Sequence, residues 1–337
     1  RGPSLGCIFL LSRFEQDGIT VNNERCESVL ASMDDASIDL IVTDPPYFKV
    51  KADWWDRQWE KPEAFLSWMG GLCDEWRRVL KPNGSLYVFA SPQMSHAVET
   101  EVRQRFNVLT NIRWRKPPFS TKAEMFTKED LRAPFPASET IIFAEQTAAR
   151  EGITNAEYDL NGSVYKPLKE WFRSKANGTR PKDFNQRLGF ATTGSGMAGT
   201  IIGDKAEFCM PTREVYERMQ AEFPAFDREY EDLRREYEDL RRPFNASEKR
   251  PYTDVWDYAT VNDYPGKHPC EKPLAMMEHI IETSSKPEAL VLDCFAGSGV
   301  VGEACRNFGR RAILCEVDQR WYRKITSRIG QRSLFAG

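Results

Sequence analysis

The eight cysteines, at positions 7, 26, 73, 209, 270, 294, 305 and 315, include no Cys-x-x-Cys pair. Such a spread gives neither a disulfide framework nor a zinc site, and no metal is expected. Several of these cysteines fall inside apolar runs, where a reduced thiol packs as a small hydrophobe, so a reducing cytosol fits best. Long apolar runs are missing as well. Cys7-Ile-Phe-Leu-Leu11 is too short to span a membrane or to form a signal-peptide core. Nor does one sign of charge dominate: 47 Lys and Arg stand against 50 Asp and Glu, with pI near 5.9. That balance argues mildly against a nucleic-acid partner, yet a local basic face binds phosphates whatever the global sum. The chain opens on Arg1 rather than Met, and its first residues are read as remnants of expression or processing.

What is present is enough for one large domain with an insertion, or for two domains: 337 residues, 41% apolar and 12% aromatic. Strand signals at 19–22, 37–43, 85–90, 108–114, 140–144, 289–293 and 311–315 alternate with helical periodicity at 26–33, 62–80, 96–106, 300–308 and 318–329. Lys81-Pro-Asn-Gly84 reads as the stop between helix 62–80 and the next strand. The alternation indicates an α/β protein with a largely parallel, helix-covered sheet.

The character changes over residues 151–250, which read as an insert dividing the α/β domain into segments 18–150 and 251–332. Strand signals fade there and basic helices take over. From 164 to 190, Lys166, Lys169, Arg173, Lys175, Arg180, Lys182 and Arg187 face only Glu170 and Asp183. A second basic cluster holds Arg103, Arg105, Arg113, Arg115 and Lys116. Either is a phosphate-binding face or a solvated helix face. Segments 167–172, 180–189 and 200–202 fit a helix-turn-helix with Gly189 in the turn, but the segment 193–199 is glycine-rich and a poor helix, so a loop-rich recognition region is the alternative. Arg-Glu-Tyr-Glu-Asp-Leu-Arg occurs twice in succession, at 228–234 and 235–241, and sets Tyr230, Leu233, Tyr237 and Leu240 on one seam. Two heptads cannot hold an independent coiled coil. A helix docked on its own domain is preferred, with a homodimer contact as the other reading.

Two short motifs carry the chemistry. Phe295-Ala-Gly-Ser-Gly299 lies between a strand and a helix, where glycines let backbone curve tightly and approach a ligand. Glu316 ends the following strand, where an acid takes ribose hydroxyls in nucleotide-type sites. The loop departs from Gly-x-Gly-x-x-Gly, and alone it could be only a tight turn. Asp44-Pro-Pro-Tyr47 ends another strand. Its prolines remove two N–H donors, so with the Asp44 carboxylate the stretch offers acceptors for an amino group, and Tyr47 offers a face for stacking.

Together these residues resemble the S-adenosylmethionine-dependent amino-methyltransferases of DNA. The resemblance implies that Asp44, Pro45, Pro46 and Tyr47 hold the target amine. It implies that Asp293, Phe295, Ala296, Gly297, Ser298, Gly299 and Glu316 hold the methyl donor. His268-Pro-Cys-Glu-Lys-Pro273 matches the His-Pro-x-x-Lys-Pro stretch of the same family and places His268, Lys272 and Pro273 near the donor. The order, catalytic motif then insert then donor loop, resembles the β class. It implies a circularly permuted Rossmann-like sheet with a mostly helical inserted target-recognition region. Many relatives carry Asp where this chain has Arg25, and Glu24 is the substitute considered for contact with the donor's adenine.

By the same resemblance Asp44 implies adenine N6 rather than cytosine N4 as the target, since cytosine-N4 enzymes more often carry Ser there. The segments around Trp54, Trp55 and Trp59 and 265–273 look most like phage and prophage enzymes, some of which show little sequence preference. The expected partner is double-stranded DNA, contacted through Lys175, Arg180, Lys182 and Arg187, with the protein in the cytoplasm of a bacterial or phage-infected cell. Alternatives are a cytosine-N4 enzyme, or a DNA-binding repressor with a vestigial catalytic half.

Overall fold

The computed structural model describes residues 13–116, 137–146, 163–191, 196–203, 208–245 and 252–331. Its strands are β1 (Arg13–Gln16), β2 (Ile19–Asn22), β3 (Ile38–Thr43), β4 (Leu80–Ala90), β5 (Asn107–Arg115), β6 (Ser138–Glu145), β7 (Val255–Asp257), β8 (Leu290–Asp293) and β9 (Arg311–Cys315). They form one sheet in the order β1-β2-β9-β8-β3-β4-β6-β5-β7. From β2 to β4 all neighbours are parallel. Beyond them β6 runs antiparallel to β4 and β5, and β7 closes the far edge parallel to β5.

The central strands are apolar on both faces because both faces are covered. Leu40 and Val42 of β3 enter one core and Ile38 and Ile41 the other. The first core is closed by α9 (Leu274–Ser284), α10 (Val300–Asn307) and α11 (Gln319–Gly330), through residues such as Ile280, Val301 and Ile325. The second is closed by α1 (Cys26–Ala31), α2 (Pro62–Val79) and α3 (Ser95–Arg103), with Leu30, Trp76 and Val102. Strand β8, encoded near the end of the chain, sits mid-sheet between β9 and β3. This is the circularly permuted Rossmann-like arrangement.

Four local expectations are corrected. Lys81–Gly84 is a bulge inside β4 rather than a stop before it: Ile38 opposes Leu80, while Leu40 already opposes Ser85. Helix α3 ends at Arg103, and Phe106 turns into the core. Strand β1 was not anticipated. It joins β2 through Asp17 and Gly18, at φ 51° and 76°, the left-handed pair that a tight hairpin requires. The glycine-rich segment does contain a helix, α6 (Gly196–Ile201).

The insert has a separate core. Helices α4 (Lys166–Lys175), α5 (Pro181–Arg187), α6, α7 (Arg213–Glu222) and α8 (Tyr230–Leu240) enclose Leu168, Phe172, Phe184, Ile201, Tyr216 and Leu233. Ala198, Gly199 and Ile201 of α6 are buried, while Gly196 is exposed and Met197 and Thr200 are half-buried. The heptad seam is used within the chain: Leu233 is fully buried, and Tyr230, Tyr237 and Leu240 pack on the same core. Among the described residues no helix is long and apolar enough to cross a membrane.

Candidate active site

The parallel strands β8 and β3 diverge in their connections, β8 running through α10 to β9 and β3 through α2 to β4. Their carboxyl ends therefore border a crevice at the switch point of the sheet. One cleft opens there, lined by Asp44 to Tyr47, by Asp293 to Ser298 and by Glu316, His268 and Lys272.

On the β8 side, Asp293 accepts the N–H of Phe295 at 3.0 Å, which turns the chain at the strand end. Gly297 has φ 51°, and a Cβ there would lie 3.0 Å from the His268 ring, so only glycine lets the loop pass the imidazole. Gly299, at φ 77°, precedes α10, and its Cβ would meet Ile325 of α11 at 2.8 Å. Glu316 braces the loop, accepting the N–H of Gly297 at 2.9 Å and that of Asp318 at 2.8 Å. Burial pushes the Asp293 carboxyl up to about 8 and the Glu316 carboxyl up to about 7. The imidazole of His268 stacks on Trp55 and meets Trp321 edge-on. Burial and the nearby Lys272 ammonium lower it to about 4, so it is neutral at physiological pH.

On the β3 side, one oxygen of Asp44 accepts from the Lys272 ammonium at 2.5 Å. Its other oxygen, Oδ1, is buried and makes no hydrogen bond among the described residues. Burial pushes the Asp44 carboxyl up; Lys272 pulls it back, and the charge of Glu139 adds to the rise. Lys272 is itself buried, and its ammonium also lies 3.4 Å from Glu139 and 3.3 Å from the Tyr47 hydroxyl. Burial alone would lower its pKa, but Asp44 and Glu139 outweigh that and raise it. Glu139, on β6, also pairs with Lys116 at 2.5 Å and accepts from the Tyr47 hydroxyl at 3.1 Å.

Beyond Tyr47 the backbone is left-handed at Phe48 (φ 56°) and Lys49 (φ 62°). For residues with a Cβ this is a strained conformation that surroundings must enforce. Asp56, fully buried, enforces it: its carboxylate accepts the N–H groups of Tyr47 and Lys51, each at 2.5 Å. The Lys49 N–H closes the loop on the Asp56 carbonyl at 2.7 Å.

The crevice thus has a glycine loop on one side and the Asp44 carboxylate on the other. The sequence profile of the DNA methylase family, covering N6 and N4 methyltransferases, matches residues 38–327. The chain belongs to this family. It is similar to the DNA adenine methyltransferase YhdJ of Escherichia coli K12, at 24% identity over 96% of this chain and 87% of that protein. In fold it resembles the M1.HpyAVI–SAM complex, with TM-score 0.50, 16% identity and coverage of 92% and 98%. It also resembles the cytosine-N4-specific PvuII DNA methyltransferase, with TM-score 0.53, 14% identity and coverage of 95% and 88%.

In this DNA methylase the two motifs, His268 and Glu316 converge on one cleft, as does Glu24, with Arg25 at its exposed rim. Lys272, expected near the donor, lines the same cleft and holds Asp44. Gly299 and Pro273 shape the walls from outside: one caps α10 and the other precedes α9. Glu139 and Asp56 went unread, because nothing in their sequence neighbourhood marks either as part of the site.

The basic clusters are less bare than their charge implies. Lys175 pairs with Asp227 at 3.0 Å and Arg180 with Asp183 at 2.8 Å. Arg187 donates to the Glu222 carbonyl at 2.7 Å and lies over the Phe223 ring; Lys182 is exposed. In the second cluster Arg103, Arg105, Arg115 and Lys116 are held by Glu99, Asp74, Asp257 and Glu139, and Arg113 donates to Thr140.

Proposed function

We propose that this DNA methylase transfers the methyl group of S-adenosylmethionine to N6 of an adenine in DNA. One observation carries the reading: Asp44 Oδ1, buried at the end of β3, is an acceptor with no partner among the described residues. A buried acceptor left unpaired costs free energy, and an incoming amino group satisfies it. The proline pair keeps this stretch of backbone free of competing donors. Similarity to an adenine methyltransferase over nearly the whole chain favours adenine as the base.

The residues present fit the donor. The carboxyls of Asp293 and Glu316 suit a cationic ligand, and the left-handed glycine at 297 brings backbone to the cleft edge. When bound, S-adenosylmethionine supplies an electrophilic methyl on a positively charged sulfur. The loop at 293–299 and Glu316 hold it, and His268 walls it from solvent in its neutral form. The target adenine, flipped from the duplex at a cost of a few kcal/mol, presents N6 to Asp44 and the Pro45 carbonyl. These acceptors orient the nitrogen lone pair toward the methyl group, so proximity and a fixed electrostatic environment accelerate transfer. Tyr47 is the stacking face.

The insert is read as the target-recognition region, with DNA phosphates along Arg180 and Lys182. Free cysteines and a DNA substrate support a cytoplasmic setting. The seam of α8, taken up within the chain, lends no support to a homodimer.

DNA incubated with methyl-labelled donor, digested and resolved into nucleosides, tests the reading. N6-methyladenine is the expected product, and Asp44→Ala should cut turnover at least about 100-fold with donor affinity nearly intact. Label on cytosine N4 would replace adenine by the other base of the family. Full turnover in the variant would refute the role of Asp44.

A further inference from the structure

The Lys272 ammonium occupies the carboxylate on which the proposed function relies. At 2.5 Å from Asp44 Oδ2 it ties up one oxygen of the carboxylate and leaves only Oδ1 to a target amine. A buried cation cannot leave its anion unless another anion receives it, since an unpaired buried charge costs several kcal/mol. Glu139 is that second anion, 3.4 Å from the same ammonium. The carboxylate of Glu139 is only 13% exposed and already oriented by Lys116 and the Tyr47 hydroxyl.

Resting on the reading of Asp44 as the amine acceptor, we propose that Glu139 is a positioning residue for methyl transfer: it takes the Lys272 ammonium from Asp44 when the target amine enters. The exchange moves no proton and breaks no covalent bond. In the resting state Lys272 neutralises Asp44 and keeps the cleft floor from carrying an isolated charge. With substrate bound, the ammonium rests on Glu139 and both oxygens of Asp44 become available. The ring of Tyr47, 5.3 Å from the ammonium, and that of Phe89, at 5.1 Å, line the path with aromatic faces that tolerate a cation.

Glu139→Gln keeps the shape and removes the charge, which pins Lys272 on Asp44. The groups facing that lysine are Asp44, Tyr47, Glu139 with Lys116 behind it, Cys270 and His268 on its own loop, and Asp293. With one of its two anions gone, Lys272 loses its proton more readily, and a neutral lysine releases Asp44. Turnover of the variant at about pH 7 should therefore fall at least about tenfold, and the deficit should narrow as the assay pH approaches about 10. Donor affinity and melting temperature report whether the fold is intact. Glu139→Asp, which keeps the charge, should recover part of the turnover and show no such narrowing. A glutamine variant as active as wild type, or a deficit constant across pH, overturns the proposal. So does an aspartate variant as poor as the glutamine one. Asp44→Ala assayed on the same DNA separates the two ideas: if it is inactive while Glu139→Gln is fully active, only the role of Glu139 fails.

Discussion

Asp293 and Glu316 border the proposed donor side of the cleft with carboxyls held up to about 8 and about 7, chiefly by burial. Near neutral pH part of this pair is protonated. A cationic donor favours the ionised forms and must expel protons as it binds. Donor affinity should therefore rise between about pH 6 and pH 9. Calorimetry in buffers of different ionisation enthalpy reads both the affinity and the proton release. A flat profile would mean that neither carboxyl faces the donor's charge. The same burial acts on stability in the opposite sense. Asp293 holds its proton more tightly folded than unfolded, so its contribution is fully present below the ordinary carboxylate range and is lost as pH rises through about 8. Asp293→Asn, still able to accept the Phe295 N–H, should flatten the fall in melting temperature from pH 5 to pH 8 while weakening donor binding.

At the scale of elements, the loop after β3 shows how a catalytic motif is held. Asp-Pro-Pro-Tyr is legible because its chemistry lies in four consecutive residues. The clamp that shapes it is not, because Asp56 acts through backbone N–H groups nine and five positions away. Asp56→Ala would strip two donors of their acceptor, at about 1–3 kcal/mol for each that remains buried. Urea melts should show that loss, and turnover should fall with donor affinity preserved. Unchanged stability and turnover would mean the left-handed turn at Phe48 and Lys49 is held by other contacts. Helix α6 makes a related point. Its glycines argue against a helix by propensity, yet Asn185 of α5 accepts the Ala198 N–H at 3.2 Å, and Ala198, Gly199 and Ile201 are buried in the insert core. Packing overrides propensity there. By contrast α2, α10 and α11 follow their apolar periodicity closely, since each covers the sheet with one stripe.

For the whole molecule, tertiary contacts decide how much of the basic surface is available to a duplex. Of the seven basic residues from 164 to 190, Lys175, Arg180, Lys182 and Arg187 are the expected phosphate contacts. The folded insert holds Lys175 and Arg187 against acidic, carbonyl and aromatic partners. Arg180, with its side chain 81% exposed, and Lys182 remain accessible. Neutralising all four should change the slope of log affinity against log salt by about two rather than the three to four of four contacts. DNA titrations at several salt concentrations measure this. No change in slope would move the interface off this face of the insert.

The sequence by itself determined the family chemistry and the plan of the fold. Both reside in short motifs and in periodicities of two and 3.6, which follow from local backbone geometry. The order of the motifs is enough to reveal the permutation. Only the tertiary structure decided which charges meet. Lys272 reaches Asp44 across 228 positions, Glu139 arrives on an antiparallel strand, and acids distant in sequence neutralise much of the apparent basic surface. Burial and electrostatic pairing depend on distance in space. A linear pattern of charge therefore names the candidates for a site but not their partners.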